Sequence, residues 1–296
     1  MPDSYPRLKV LTALGAGLVA FGFSPIFVRF TPETPPLVLA AYRTVIASLL
    51  LLPYWYMTRD RAVTPTKDKF YVFLAGLCLG IHFICWIASL HYTSVASASV
   101  LVTIHPIMLI LIERLWFKRS FAITSWIGVG MAFSGSVLLG ISDSQIETDF
   151  SDPLFGNFLA ASAAAIFVVY LLIGQKIRQK REWVDYVFPV YFFAGATCVI
   201  TALALGNNLL EISLIGAASA TGMAVFPQII GHGSMNYAVK YVSPTLISTL
   251  ILTEPIFATF LAYVLFDELP PITSFIAMLI IIIGVGLTWR RKARNK

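Results

Sequence analysis

The chain has 296 residues, of which 58% are hydrophobic and only 12% are charged. A soluble domain has about 45–50% apolar and about 25% charged residues, so this chain lacks the polar surface that a water-soluble protein requires. Its formal net charge of +6 does not indicate nucleic-acid binding, because the basic residues lie in short loops between apolar runs. We therefore expect an integral membrane protein that is surrounded by lipid and binds no nucleic acid.

Ten apolar runs are long enough to cross a bilayer, for which a helix needs about 20 mostly apolar residues. They lie near residues 10–30, 36–57, 69–90, 95–113, 121–141, 155–175, 186–206, 212–235, 244–264 and 272–290. Arg7 and Lys9 precede the first run as they would in a signal peptide. The run is too long for a signal peptide and no cleavage site follows it, so we expect a retained helix. The predicted fold class is all-α integral membrane, with ten transmembrane helices joined by short loops.

Lysine and arginine concentrate in alternate segments between these runs. The basic segments hold Arg7, Lys9, Arg59, Arg61, Lys67, Lys69, Arg114, Lys118, Arg119, Lys176, Arg178, Lys180, Arg181, Lys240, Arg290, Arg291, Lys292, Arg294 and Lys296. The intervening loops hold Arg29 and a set of acids, namely Glu33, Asp143, Glu147, Asp149, Asp152, Glu211, Asp267 and Glu268. Because basic loops stay on the cytoplasmic side of a membrane, both termini are predicted to be cytoplasmic.

The second half of the sequence repeats the first at a constant offset of 149 residues. Matching pairs include Tyr92 with Tyr241, Ser99 with Ser248, Pro106 with Pro255, Phe117 with Phe266 and Gly135 with Gly284. Each copy has an odd number of helices, so the second copy is inverted in the membrane. We expect a first repeat at 1–142, an outward-facing acidic linker at 143–153, and an inverted second repeat with a basic cytoplasmic tail at 154–296. Inverted repeats are typical of secondary transporters, which bind substrate near the midplane where the repeats meet.

Chemical motifs for catalysis are missing from the sequence. Cys78, Cys85 and Cys198 lie inside apolar runs, and no pair of them has metal-ligand spacing or indicates a disulfide framework. The patterns GxxxxGK[ST], HExxH and GxSxG do not occur, so the chain carries no signature for ATP hydrolysis or for the corresponding zinc and serine hydrolases. We expect no catalytic residue, no metal and no cofactor.

Glu254 is the most informative polar residue. It lies about 15 Å into the ninth helix at 1.5 Å per residue, near the middle of the membrane, where a charge costs on the order of 3 kcal/mol. Either it is protonated or caps backbone groups freed by Pro255, or it exchanges protons or binds a substrate ammonium group. His105 occupies the matching place before Pro106, either as a core imidazole or as a ligand. We expect the fourth and ninth helices to kink at these prolines near the pseudo-twofold axis.

The predicted substrate-binding set combines this carboxylate with imidazoles and aromatic rings. It comprises His82, Phe83, Trp86, His105, Phe167, Tyr170, Tyr237 and Glu254. Aromatic rings near the midplane suit a substrate with an apolar or aromatic body. Glu254 and His82 are the proton-coupling candidates, since histidine titrates near neutral pH. His82, His105 and His232 are expected either to form a proton relay or to be satisfied core groups, and His82 and His105 can donate hydrogen bonds to a substrate carboxylate.

Structural roles are predicted for three further residues and for a glycine pair. Pro106 and Pro255 set the helix kinks. Arg43 lies about seven residues into the second helix, where its long stem is expected to extend towards the membrane surface; a structural role is predicted for it, and the alternative is that it binds a carboxylate. Gly76 and Gly80 stand one helical turn apart and allow another helix to approach closely.

Several short motifs occur in a characteristic order along the chain. They are Tyr42-Arg43, His91-Tyr92-Thr93-Ser94 with its counterpart Lys240-Tyr241-Val242-Ser243, Glu254-Pro255, Asp267-Glu268 and Gly284-x-Gly286. In order and spacing they resemble the drug/metabolite transporter superfamily, specifically its two-copy, ten-helix EamA-type members, over nearly the whole chain. The first repeat departs from that pattern, because Arg119 stands where the second has Glu268, and His105 where it has Glu254. Only the second repeat therefore keeps the acidic pair.

The aromatic-rich interior is similar to that of aromatic amino acid exporters of the YddG type. This resemblance implies alternating-access export of amino acids, aromatic and other neutral ones, across the bacterial inner membrane; it leaves the oligomeric state open. Export of another small metabolite or drug is the main alternative. An intramembrane enzyme that uses His82, His105 and Glu254 on a lipid-linked substrate would require an interfacial polar cluster and a sizeable loop, and the chain has neither. A structural or channel subunit would not require the charges at the midplane.

Overall fold

The computed structural model describes residues 6–60, 65–93, 95–143, 152–267 and 269–289. The regular secondary structure of these residues is helical, with no strand among them, and the helical segments group into ten spans. The spans are helix 1 (Arg7–Arg29), helix 2 (Pro36–Thr58), helix 3 (Thr66–Tyr92), helix 4 (Val95–Val102 and His105–Leu115), helix 5 (Ile123–Asp143), helix 6 (Pro153–Arg178), helix 7 (Trp183–Ala204), helix 8 (Leu214–Met223, Ala224–His232 and Gly233–Ala238), helix 9 (Pro244–Ile251 and Glu254–Phe266) and helix 10 (Ile272–Trp289). The all-α fold with ten transmembrane helices is confirmed.

Length and composition separate helix 4 from the other spans. Within the described ranges, nine helices are long and apolar enough to cross a membrane. Helix 4 is the tenth, and its two segments are each too short to span a bilayer alone. Most of the acidic linker, Glu268 and the basic tail lie outside the described residues, so the domain boundaries stay predictions.

Helix starts follow from local sequence. Proline occupies the first turn of helices 2, 6 and 9, where its missing N–H removes no helical hydrogen bond. The side chain of Asp152 caps helix 6 by accepting from the Phe155 amide at 3.0 Å. Ser213 caps helix 8 in the same way, accepting from the Gly216 amide at 2.9 Å.

Helices 4 and 9 are interrupted at equivalent places. The first half of helix 4 ends at Val102 and the second begins at His105, while the corresponding residues of helix 9 are Ile251 and Glu254. Proline at the second position of each second half cannot donate to the carbonyl four residues earlier, and its ring displaces that turn. Regular α-helix is therefore interrupted just before Pro106 and Pro255, where the sequence predicts kinks, and the residues between the two segments form turns with hydrogen bonds of the i→i−3 type.

The two repeats are interleaved, because each main helix contact joins one repeat to the other. Helix 3 packs on helix 6 and, in the matching place, helix 8 packs on helix 1. Helices 4 and 9 depart from this pattern: the first half of helix 4 packs on helix 6, whereas the half of helix 9 that packs on helix 1 is the second one. Helix 2 packs on helix 7, and helix 5 on helix 10. This exchange of equivalent partners is the arrangement expected of two repeats related by a pseudo-twofold axis.

Contacts at the two ends of the bundle fix which helix termini lie together. At the end that holds the basic loops, here called the inner end, Lys180 lies 3.8 Å from Asp68. At the opposite, outer end, the Thr93 hydroxyl donates to the Asn157 side chain at 2.9 Å. The alternation of loops is thus the one that the sequence predicts, and the cytoplasmic location of the inner end remains a prediction.

Glycines set the closest helix contacts. A Cβ atom at Gly76 would lie 2.5 Å from Cβ of Phe193, and one at Gly80 would lie 2.7 Å from Cβ of Thr197, so the predicted close approach is made by helices 3 and 7. Helices 5 and 10 touch through Gly128 and Gly284: a Cβ atom at the former would lie 2.5 Å from the carbonyl oxygen of the latter.

Candidate functional site

A cavity of about 140 Å³ lies at the level of the breaks in helices 4 and 9. Its volume corresponds to on the order of five water molecules at about 30 Å³ each, which suits a small molecule. Six members of the predicted substrate-binding set line it, namely His82, Phe83, Trp86, His105, Phe167 and Glu254. They come from helices 3, 4, 6 and 9, and so from both repeats. The sequence repeat therefore identified the elements that surround this site.

Two members of the predicted set lie outside the cavity lining. Tyr170 is fully buried one turn beyond Phe167, and its hydroxyl accepts a hydrogen bond from the Asn236 side chain at 2.5 Å. Tyr237 lies nearer the inner end of helix 8, with its ring centroid 5.6 Å from that of Tyr241. Neither phenol group reaches the cavity in this structure. Pro106 is buried and does not line the cavity, whereas Pro255 belongs to the lining.

Phe167 is the central ring of the cavity wall. Its centroid lies 5.0 Å from the ring of His82, 5.2 Å from that of His105 and 6.1 Å from that of His232. No hydrogen bond joins two of these imidazoles in the part of the chain that the structure describes. The imidazoles therefore surround a phenyl ring, and this arrangement provides no direct proton relay between them.

The hydrogen bond of His82 fixes its tautomer. Its Nδ1 atom lies 2.9 Å from the backbone carbonyl oxygen of Ala163, and a carbonyl can only accept, so Nδ1 carries the proton. In the neutral ring the Nε2 atom is then an acceptor. In contrast, the Nδ1 atoms of His105 and His232 are buried and have no hydrogen-bond partner among the described residues.

Glu254 begins the second half of helix 9 and presents its carboxylate to the cavity. No described residue donates a hydrogen bond to this carboxylate. It lies within electrostatic range of Arg43, which lines the same cavity. The carboxylate is thus available to a cationic or hydrogen-bonding ligand.

Arg43 does not extend to the membrane surface, and that expectation is wrong. The side chain is buried, with 2% of the residue exposed, and its Nε and Nη2 atoms donate to Oε1 of Gln228 at 3.2 and 2.7 Å. The guanidinium carbon lies 4.2 Å from the ring centroid of Phe83. Both partners lie inside the bundle. A polar acceptor and an aromatic face stabilise the guanidinium there, so the side chain turns inward and does not reach towards the lipid headgroups.

Sequence reasoning missed the π-helical segment of helix 8, Ala224–His232. It contains Pro227 and Gln228, and single-turn π-helical segments occur often at functional sites. A proline followed by a glutamine inside an apolar run was the available signal. Further unpredicted residues also line the cavity, namely Phe21, Ser24, Val102, Thr103, Met235 and Ile251.

Comparisons with known proteins point to one family. A model of the EamA-like transporter family matches residues 7–141 and again residues 154–290. The chain is 23% identical to the uncharacterized transporter YdfC of Bacillus subtilis over 285 residues, covering 96% of this chain and 91% of that protein. It is 23% identical to the uncharacterized inner membrane transporter YedA of Escherichia coli K12 over 284 residues, covering 95% and 90%. A solved crystal structure shares the fold, with a TM-score of 0.80 at 18% identity over 96% of this chain and 97% of that one.

Proposed function

This chain belongs to the EamA-like transporter family, and from that premise we propose that it exports neutral α-amino acids, aromatic ones included, across the bacterial inner membrane by alternating access. It is a multi-pass membrane transporter and not an enzyme. The substrate class, the direction of transport and the resemblance to exporters of the YddG type belong to the proposal.

One observation carries the choice of substrate: a free carboxylate and several aromatic faces line the same small cavity. Glu254 offers its charge to an ammonium group, which an apolar site would otherwise exclude because of the cost of desolvation. Phe83, Trp86 and Phe167 offer faces to an apolar or aromatic side chain. A small molecule with an ammonium group beside an apolar body matches both features.

The helix contacts support a gating mechanism based on the two breaks. The second half of helix 4 packs against the first half of helix 9, which brings these segments together at the inner end. The outer halves of the two helices pack mainly on helices 6 and 1. Because the repeats are inverted copies, exchanging these contacts would join the outer halves and release the inner ones. The breaks at His105 and Glu254 are the points about which the halves can move separately.

Counterflow in proteoliposomes tests this function. Vesicles that contain the purified protein and an excess of unlabelled phenylalanine should accumulate external radiolabelled phenylalanine, and protein-free vesicles should not. A panel of neutral, acidic and basic amino acids, polyamines and lipophilic cations then separates amino-acid transport from transport of other metabolites or drugs. Repeating the assay with and without a pH gradient determines proton coupling. Flux of a non-amino-acid substrate with no amino-acid counterflow would contradict the proposal.

A further inference from the structure

We propose that Arg43 binds the carboxylate of the substrate and that Gln228, in the π-helical segment of helix 8, positions its guanidinium for this purpose. The inference rests on the proposed function, because it names the group that recognises the second charge of an amino acid. It replaces the expectation that His82 and His105 meet the carboxylate.

The positive charge of Arg43 is not neutralised by an ion pair. Its hydrogen bonds go to the neutral amide of Gln228, and no described carboxylate forms a salt bridge with it. A buried cation without an ion-pair partner is costly in a low-dielectric site. The ring of Phe83, 4.2 Å away, offsets part of that cost. Glu254 lies within electrostatic range of Arg43 in the same cavity but forms no salt bridge with it, so the guanidinium can still pair with an anionic group of a substrate.

The guanidinium also keeps unused donors on the cavity side. Nε and Nη2 donate hydrogen bonds to Gln228. Nη1 has no hydrogen-bond partner among the described residues, and it retains some accessible surface. Arg43 belongs to the cavity lining. A guanidinium offers paired N–H groups that match the two oxygens of a carboxylate. The N–H groups of Nη1 and the second N–H of Nη2 are therefore available for this pairing.

Gln228 is held from two directions. Its backbone carbonyl accepts from the Tyr191 hydroxyl at 2.7 Å, and its side-chain oxygen accepts from Arg43. Both Gln228 and Tyr191 are fully buried. A glutamate at this position would neutralise the guanidinium, whereas the amide orients it and leaves its charge available. Gln228 therefore acts as a positioning residue.

The tautomer of His82 assigns it to the other end of the substrate. Since its Nδ1–H donates to the carbonyl of Ala163, the neutral ring offers only an acceptor, which repels a carboxylate and can accept from an ammonium group. Glu254 offers a second acceptor in the same cavity. A zwitterion bound in this cavity meets a donor in Arg43 and acceptors in Glu254 and His82, so both of its charges have complementary groups.

The decisive variant is Gln228→Glu, which supplies Arg43 with a carboxylate of its own. If Arg43 binds the substrate carboxylate, the apparent KM for phenylalanine counterflow should rise at least about tenfold, because the substrate loses its charge-assisted hydrogen bonds to Arg43. The protein should stay folded. If Arg43 is only structural, the new ion pair leaves KM unchanged. Gln179→Glu is the matched control, because that side chain is exposed at the inner end and bonds only the Lys240 carbonyl.

A second measurement tests the same pairing from the side of the substrate. Inhibition of phenylalanine counterflow by phenylalaninamide and by phenethylamine, both lacking the carboxylate, should be much weaker than inhibition by phenylalanine in the wild type. In Gln228→Glu this preference should largely disappear. Amino-acid counterflow with equal KM and equal preference in wild type and Gln228→Glu would overturn this inference alone. Absence of any amino-acid counterflow in the wild type would overturn the proposed function as well.

Discussion

His105 and Glu254 occupy the same place in the two repeats, 149 residues apart, each as the first residue after a helix break and directly before a proline. The repeat thus supplies one backbone geometry twice and fills it with two different chemical groups. One is an imidazole packed 5.2 Å from the ring of Phe167, and the other is a carboxylate without a hydrogen-bond donor in the described chain. The two repeats therefore share the backbone geometry of the helix interruption, while the chemical groups that they place there differ.

Glu254→Gln is expected to remain folded and to lose most of its transport. Glutamine preserves the shape and can still hydrogen-bond near the helix break, but it cannot carry the negative charge that the ammonium group requires. Initial counterflow rates per folded molecule measure the effect, with folding checked by monodispersity in detergent. Glu182→Gln serves as the control, since that carboxylate is exposed at the inner end and lies 3.7 Å from Lys240. Near-wild-type flux in Glu254→Gln would mean that Glu254 only supports the break at Pro255.

Pro255→Ala is expected to slow transport while keeping or raising thermal stability. Alanine restores a backbone N–H that can bond to the carbonyl of Ile251 and so favours a continuous helix 9. A continuous helix cannot move its two halves separately. Pro53→Ala is a suitable comparison, because Pro53 lies in helix 2 with its side chain exposed away from the cavity. Unchanged counterflow in Pro255→Ala, with unchanged melting temperature, would argue against the break as a hinge.

The sequence predicted the helices, the repeat and the helix breaks because each depends on local signals. Apolar runs, prolines and a constant offset are all visible without knowledge of which helices meet. The same reasoning identified His82, His105 and Glu254 as cavity residues, since polar groups inside apolar runs must face the protein interior.

The side-chain positions of Arg43 and Tyr237 could not be predicted from local sequence signals. A midplane arginine extends to the surface or turns inward according to the partners it finds, and its partner Gln228 lies 185 residues away in sequence. Tyr237 belongs to the correct helix, but the π-helical segment before it changes which faces of helix 8 point at the cavity. The orientation of a side chain after such a segment depends on packing that a single sequence does not reveal.

Gly284→Ala is expected to lower the melting temperature by several degrees, whereas Gly286→Ala is expected to be neutral or slightly stabilising. A Cβ atom at Gly284 would lie 2.4 Å from the backbone nitrogen of Ala132, so helices 5 and 10 would have to separate. A Cβ atom at Gly286 has no neighbour within 4 Å among the described atoms, and alanine favours helix over glycine by up to about 1 kcal/mol. Thermal unfolding in detergent measures both. Equal melting temperatures for the two variants would contradict the close contact of these helices.

The topology prediction is that the inner end faces the cytoplasm. In a background without native cysteines, a cysteine at Asn208 should react with a membrane-impermeant maleimide added to intact cells, and a cysteine at Lys180 should react only after the membrane is opened. Both side chains are exposed, one at each end of the bundle. The positive-inside rule predicts this orientation, and the reverse pattern of labelling would overturn it.

Glu113→Gln is expected to open the inner end of the cavity. The Glu113 carboxylate, in the second half of helix 4, is fully buried, accepts from the Thr245 hydroxyl at the start of helix 9, and pairs with Arg119. Opening to the inner side requires this contact to break. An amide oxygen still accepts but weakens the contact by about 1.5 kcal/mol, the difference between a charge-assisted and a neutral hydrogen bond, which shifts a two-state equilibrium about tenfold.

The shift in the equilibrium between the closed and open inner end can be measured as the rate at which a cysteine placed at the cavity residue Ile251 is labelled. In inside-out vesicles lacking the native cysteines, an impermeant maleimide should label this cysteine about tenfold faster in Glu113→Gln than in its parent. Glu182→Gln removes a charge from the same end of the bundle without touching helix 4 or helix 9, so its labelling rate should stay that of the parent. Equal rates in all three proteins would show that the contact between Glu113 and Thr245 does not hold the inner end closed.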